Sequence, residues 1–137
     1  MIKSVTCSDP IPFFFKIFTA HGNSYGTIKK SVTKALAYLD PRILILVPEA
    51  VEIIREYYSK WEKLLELIVS FYVLSPGEEE LQRRLAGRGQ EEIQKRIDDC
   101  AKWDEIALSS DIPYIFLKNN EPEIGIEKAV KQMEMFL

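Results

Sequence analysis

Three arginines, Arg84, Arg88 and Arg96, lie close together in the stretch LQRRLAGRGQEEIQKRI, residues 81–97. A guanidinium is a planar fork of donors that stays charged at any physiological pH, and its geometry suits phosphate oxygens. Arg84 and Arg88 are four apart, a spacing that puts them on one face at a helix end. Gly87 and Gly89 let the chain turn just beyond, and Arg96 on the next helix can return toward the same point. The pattern reads in two ways. It suits a phosphate site, and it equally suits a solvated helix end balanced by Glu78, Glu79 and Glu80 on one side and Glu91 and Glu92 on the other.

A second polar stretch, HGNSYGT at residues 21–27, offers Asn23, Tyr25 and Thr27 as hydrogen-bonding groups for a phosphate or a base. Gly22 and Gly26 permit tight turns, so the same residues also serve an ordinary turn leading into a helix. His21 is the only histidine and has no carboxylate partner visible in the sequence, so it reads as a solvated loop residue rather than a base. With one histidine and two separated cysteines, Cys7 and Cys100, a zinc cluster is excluded and reduced thiols are expected. The net charge of −3 disfavours non-specific nucleic-acid binding but leaves a local basic cluster free to attract an anion. No run approaches the roughly 20 apolar residues that span a bilayer. A cytoplasmic protein without a membrane partner is expected.

The elements that must position these groups follow from hydrophobic periodicity. Apolar runs at residues 2–7, 13–18, 43–47, 67–74 and 114–117 read as strands; 43–47 and 67–74 have the continuous character of strands buried on both faces of a parallel sheet. Thr27 reads as the cap of a helix carrying Val32, Ala35, Leu36 and Leu39. Residues 49–66 place Val51, Ile54, Tyr58, Trp61 and Leu65 at helical intervals, and Ser75-Pro76 opens a helix with Glu78, Glu79 and Glu80 in its first turn. Residues 91–108 and 126–137 read as two further helices. Alternating strands and helices predict an α/β fold with a mostly parallel sheet, and 137 residues fit one domain.

In their order along the chain these segments resemble the guanylate kinase family of nucleoside-monophosphate kinases. Its members carry an HGN-Y-Y-G-T-like loop before a helix, a buried strand, a strand ending in P-P-S, and an L-x-x-R-L-x-x-R-G-T helix and lid. Here the counterparts are HGNSYGT, residues 43–47, VSFYVLSP at 69–76 and LQRRLAGRG at 81–89. IQKRI at 93–97 looks like the family's I-x-x-R-L, and YIFL followed by Asn119 and Asn120 looks like its last strand and N-D-D turn. Even SVTCS at 4–8 is similar to the S-V-S-x-T of the GMP side.

The resemblance implies a guanylate-kinase-like parallel-sheet core, a GMP-side region over about residues 4–38 and a lid-like region over about 81–97. It implies ligand contacts from Thr6, Asn23, Tyr25, Thr27 and Asn119, and lid arginines at Arg84, Arg88 and Arg96. The family's G-x-x-x-x-G-K-[ST] loop, whose amides and lysine hold the ATP phosphates, has no counterpart in the sequence, which contains no Gly-Lys pair. Where the family has T-T-R-x-P-R the chain has SDPIPF at 8–13, its guanine-reading glutamate falls on Lys16, and its L-D-I-D strand end is Leu44-Ile45-Leu46-Val47. Much of the GMP subdomain and the strand of the phosphate loop are therefore expected to be missing. Phosphoryl transfer depends on positioning and charge neutralisation, so the expectation is a binding or regulatory module without kinase activity. Its expected ligand is GMP, another phosphate-bearing molecule or a phosphopeptide. The alternative is a half-enzyme, active with ATP and Mg2+ only beside a separate ATP-binding part. If the phosphate-loop strand is missing, residues 43–47 and 67–74 should pair directly, and a homodimer should cover exposed apolar edges.

Overall fold

The computed structural model describes residues 14–20, 23–38, 42–119 and 122–136. The expected strand at 2–7, with Thr6 and Cys7, lies outside them, as do His21, Gly22, Leu39 and Asn120. The chain is a mixed α/β protein that divides into two compact units, Met1–Ile68 and Val69–Leu137.

In the first unit, β1 (Phe14–Ala20) and β2 (Asn23–Ile28) form an antiparallel pair, with Phe18 opposite Tyr25 and Ile17 opposite Gly26, and a register shift between Phe14 and Ile17. Most of HGNSYGT is thus a strand and not the expected turn. The aromatic and β-branched run of β1 supplies a ladder partner, and that pairing overrides the turn preferences of Asn23, Ser24 and Gly26. Because the ladder extends to Ile28, the chain passes directly from β2 into α1 (Lys29–Ala37), and Thr27 lies in the strand and does not cap the helix.

Helix α2 (Pro48–Tyr58) starts with Pro48 at its first position, where a missing N–H costs nothing, and with Glu49 in the first turn. The single helix expected over 49–66 is broken. At Ser59 the hydroxyl donates to the Glu56 carbonyl at 2.6 Å, and Trp61 leaves helical geometry before the short α3 (Glu62–Leu65). The Trp61 ring packs back on Tyr57 and Tyr58 at 5.7 and 6.1 Å, so the aromatic cluster holds it where a straight helix would carry it past. Tyr58, 1% exposed, joins Val32 and Ile54 at the centre of the core, with Phe15, Leu36, Leu46, Leu64 and Ile68 packed around them. Its hydroxyl lies 2.7 Å from that of Thr33. Thr33 donates its one proton to the Lys29 carbonyl, so Tyr58 is the donor between the two. Arg55 donates to the Ile68 carbonyl at 2.8 Å and ties the end of the unit to α2.

The expected strand at 43–47 is not one: these residues belong to no helix, strand or turn. Nor is their expected pairing with 67–74 formed. Instead β3 (Ser70–Leu74) pairs in parallel with β4 (Tyr114–Lys118), Ser70 opposite Tyr114 and Leu74 opposite Lys118. The described residues thus hold two separate sheets, the antiparallel β1–β2 pair and a small parallel β3–β4 sheet flanked by helices, and the parallel part of the expected α/β fold is the second of these.

In the second unit the crossover between β3 and β4 runs through α4 (Glu78–Arg84) and α5 (Gln90–Ser109), and α6 (Pro122–Glu134) follows β4. Parallel strands need such a helical crossover. Asp104 on α5 locks the end of β3. It accepts a hydrogen bond from the Tyr72 hydroxyl at 2.7 Å, one from the Ser75 hydroxyl, and a shared one from the Ser75 N–H at 3.3 Å to each oxygen. The Tyr72 ring stands edge-on to those of Tyr114 and Phe116 on β4 at 5.7 and 6.0 Å. No helix among the described residues is long and apolar enough to cross a membrane.

Asp104→Asn keeps the shape of this junction but removes the charge that three donors share. It should lower the stability of the second unit by about 1–3 kcal/mol, read as faster hydrogen exchange at the β3 amides. Unchanged protection there would remove Asp104 from its anchoring role.

Candidate functional site

The arginine-rich segment is built on the α4–α5 turn. Helix α4 stops at Arg84, Leu85 caps it, and Gly87 takes φ 96°, a left-handed conformation that side-chain-bearing residues adopt at a cost. A Cβ added at Gly87 would meet nothing within 4 Å, so backbone conformation and not crowding favours glycine there. Gly89 has φ −63° and needs no such freedom. Since the helix ends before Arg88, Arg84 and Arg88 do not share a helix face as their spacing suggested.

The three guanidiniums divide between two sets of partners. Arg84 donates from Nε to Glu80 Oε1 at 2.6 Å, from Nη1 to the Asn119 side-chain oxygen at 3.1 Å and from Nη2 to the Asn119 backbone carbonyl at 3.0 Å. This half-buried bridge joins α4 to the end of β4, and Asn119 is its acceptor. Arg83 adds two bonds to Glu80, both at 2.7 Å. Those of Arg83, then those of Arg84, hold the Glu80 carboxyl down at about 2. A carboxyl lowered in the folded chain contributes stability above its ordinary range and loses that contribution as pH falls toward the lowered value. Arg88 and Arg96 instead meet on one atom. Arg88 Nη1 and Arg96 Nε donate to Glu92 Oε1 at 2.8 and 3.2 Å and lower the Glu92 carboxyl from its ordinary value. These pairs are largely solvated and contribute little to stability. Two guanidiniums directed at a single carboxylate oxygen are also arranged for one oxygen of a phosphate.

The other group of sequence candidates belongs to the first unit. Tyr25 and Thr27 are two apart on β2, so both project from the same face of the strand. Tyr25 is 54% exposed. Asn23 opens the strand opposite Ala20. Thr6 lies outside the described residues.

Sequence reasoning missed Tyr72, Ser75 and Asp104. Burial, then the Asp104 carboxylate, pushes the Tyr72 phenol far above its ordinary value, and burial followed by Asp104 and Asp99 raises the Cys100 thiol. Both groups therefore stay protonated, and Cys100 makes a poor nucleophile. Ser75 and Tyr72 straddle the strand end three residues apart, but their acceptor is 29 and 32 residues away, and no spacing rule points to it. Among the described residues no group of three or more His, Cys, Asp or Glu side chains could hold a metal ion.

Against known proteins, the chain is 37% identical over 101 residues to the guanylate kinase of Mycoplasma mobile, covering 71% of this chain and 48% of that protein. It thus spans about half the length of the curated relative it matches. No protein-family profile and no solved structure matches it. Identity of this level over most of the chain agrees with the order of HGNSYGT, VSFYVLSP and LQRRLAGRG, and the chain is related to the guanylate kinase family.

Proposed function

We propose that these residues form a binding module for a phosphate-bearing ligand, with Arg88 and Arg96 as the anion-holding pair. The observation that carries this reading is the convergence of both guanidiniums on Glu92 Oε1, where a carboxylate oxygen stands in the place a phosphate oxygen would take. Arg84 has a different role: its bonds to Asn119 make it a structural bridge. GMP is the first ligand to try, because the matched relative is a guanylate kinase. Tyr25 and Thr27, side by side on one face of β2, would serve the monophosphate side as the resemblance implies. Localisation in the cytoplasm is part of the same proposal, supported by two cysteines without paired spacing.

The module would bind without transferring a phosphoryl group. The 137 residues contain no Gly-Lys pair, and so no copy of the family's G-x-x-x-x-G-K-[ST] loop that neutralises a triphosphate. A second reading keeps the relative's activity: the match to a guanylate kinase suits an enzyme that is active with ATP and Mg2+ only beside a separate ATP-binding part.

Titration with inorganic phosphate, GMP and a phosphoserine peptide should raise the thermal midpoint, by the equivalent of roughly 2.7 kcal/mol at a hundredfold excess over Kd. Arg88→Ala should abolish the shift. Arg84→Ala should keep it while lowering the ligand-free stability by about 1.5 kcal/mol. An Arg88→Ala protein that binds like wild type would overturn the assignment. In a coupled ADP-release assay with GMP, ATP and Mg2+, the 137-residue polypeptide should show no turnover above background. Turnover appearing only with a second polypeptide would favour the half-enzyme, and turnover by this chain alone would end the binding-module reading.

A further inference from the structure

Residues 42–47 precede α2 as a stretch outside any helix, strand or turn, and Val47 at its end has β backbone angles. Leu46 reaches the first unit's core. The preceding Ile43, Leu44 and Ile45 are 82%, 51% and 93% exposed. Three consecutive large apolar side chains in water form the kind of patch that marks an interaction surface. In an extended chain successive side chains point to opposite sides, so this run is apolar on both faces. A groove or a lipid surface would cover one face and leave the other wet. A place within a sheet covers both and pairs the backbone as well.

The same chain carries a suitable acceptor. β3 and β4 are a parallel pair with no third strand among the described residues, although parallel sheets are ordinarily larger and covered. Ser70–Leu74 contains no charged residue, and neither do residues 43–47, so no charge is stranded when the two meet. Both are five residues long. Val73 on β3 and Phe116 on β4 are exposed.

We propose that residues 43–47 of one copy add as a third strand to the β3 edge of a second copy, and that the exchange is reciprocal in a two-fold dimer. Strand addition gives such contacts backbone hydrogen bonds as well as apolar burial. Donor and acceptor lie on one polypeptide, so two copies satisfy each other and leave neither the apolar run nor the β3 edge open.

Sedimentation velocity of the full chain, from micromolar concentration upward, should show a dimer. Ile45→Lys, at the most exposed of the three positions, should reduce it to a monomer with an unchanged circular dichroism spectrum. Val73→Lys on the acceptor strand should do the same. Leu108→Lys, at an apolar position on α5 that is also exposed, should leave the dimer intact. In the wild-type dimer the amides of residues 43–47 and of β3 should be protected from hydrogen exchange, and Ile45→Lys should release both. A wild-type monomer at all concentrations, a dimer indifferent to both substitutions, open chains of copies, or protection of 43–47 within a monomer would each overturn the proposal.

Discussion

The pairing of each guanidinium around the α4–α5 turn with a carboxylate one helical turn away separates the positive charges that have a fixed structural task from those that the proposed anion site would use. Glu80 takes Arg83 and Arg84, and Glu92 takes Arg88 and Arg96. The two carboxylates act differently because their surroundings differ. Arg84 reaches past Glu80 to both oxygens of Asn119, which fixes it to the end of β4. Arg88 and Arg96 have no such second anchor among the described residues, and their common acceptor is half-exposed. In the proposed site an incoming anion would have to compete only with Glu92.

This division rests on the order of the second unit. The parallel register of β3 and β4 sets where Ser75 and Asn119 emerge, and Asp104 holds the first of these exits through three donors. The left-handed turn at Gly87 then carries the chain from α4 to α5, ending the helix between Arg84 and Arg88 and sending their side chains to different partners. The first unit has its own logic, an aromatic cluster around Tyr58 whose hydroxyl is satisfied by Thr33, with β2 presenting Tyr25 and Thr27.

What the sequence made legible was what local chemistry decides. β3 and β4 were readable because apolar runs end at Ser75-Pro76 and begin after Pro113, and α5 because its periodicity is long. The balancing of the arginines by Glu80 and Glu92 was legible as spacing. Elsewhere distant partners decided. A continuous apolar run at 43–47 looks like a buried strand whether or not another strand is available, and here Ile43 and Ile45 face solvent. Asn23, Ser24 and Gly26 favour a turn until β1 offers a ladder. The break in the helical pattern before Trp61 depends on where its ring packs, and the Asp104 junction on residues far apart in the chain.

The central claim is that Glu92 occupies the place of a phosphate oxygen between Arg88 and Arg96. Isothermal titration of wild type and Glu92→Gln with inorganic phosphate at low salt tests it most directly. Removing one negative charge beside a bound dianion should tighten binding by about threefold to tenfold at a solvated site, without altering the fold. Equal or weaker binding by Glu92→Gln, with wild type binding measurably, would contradict the account.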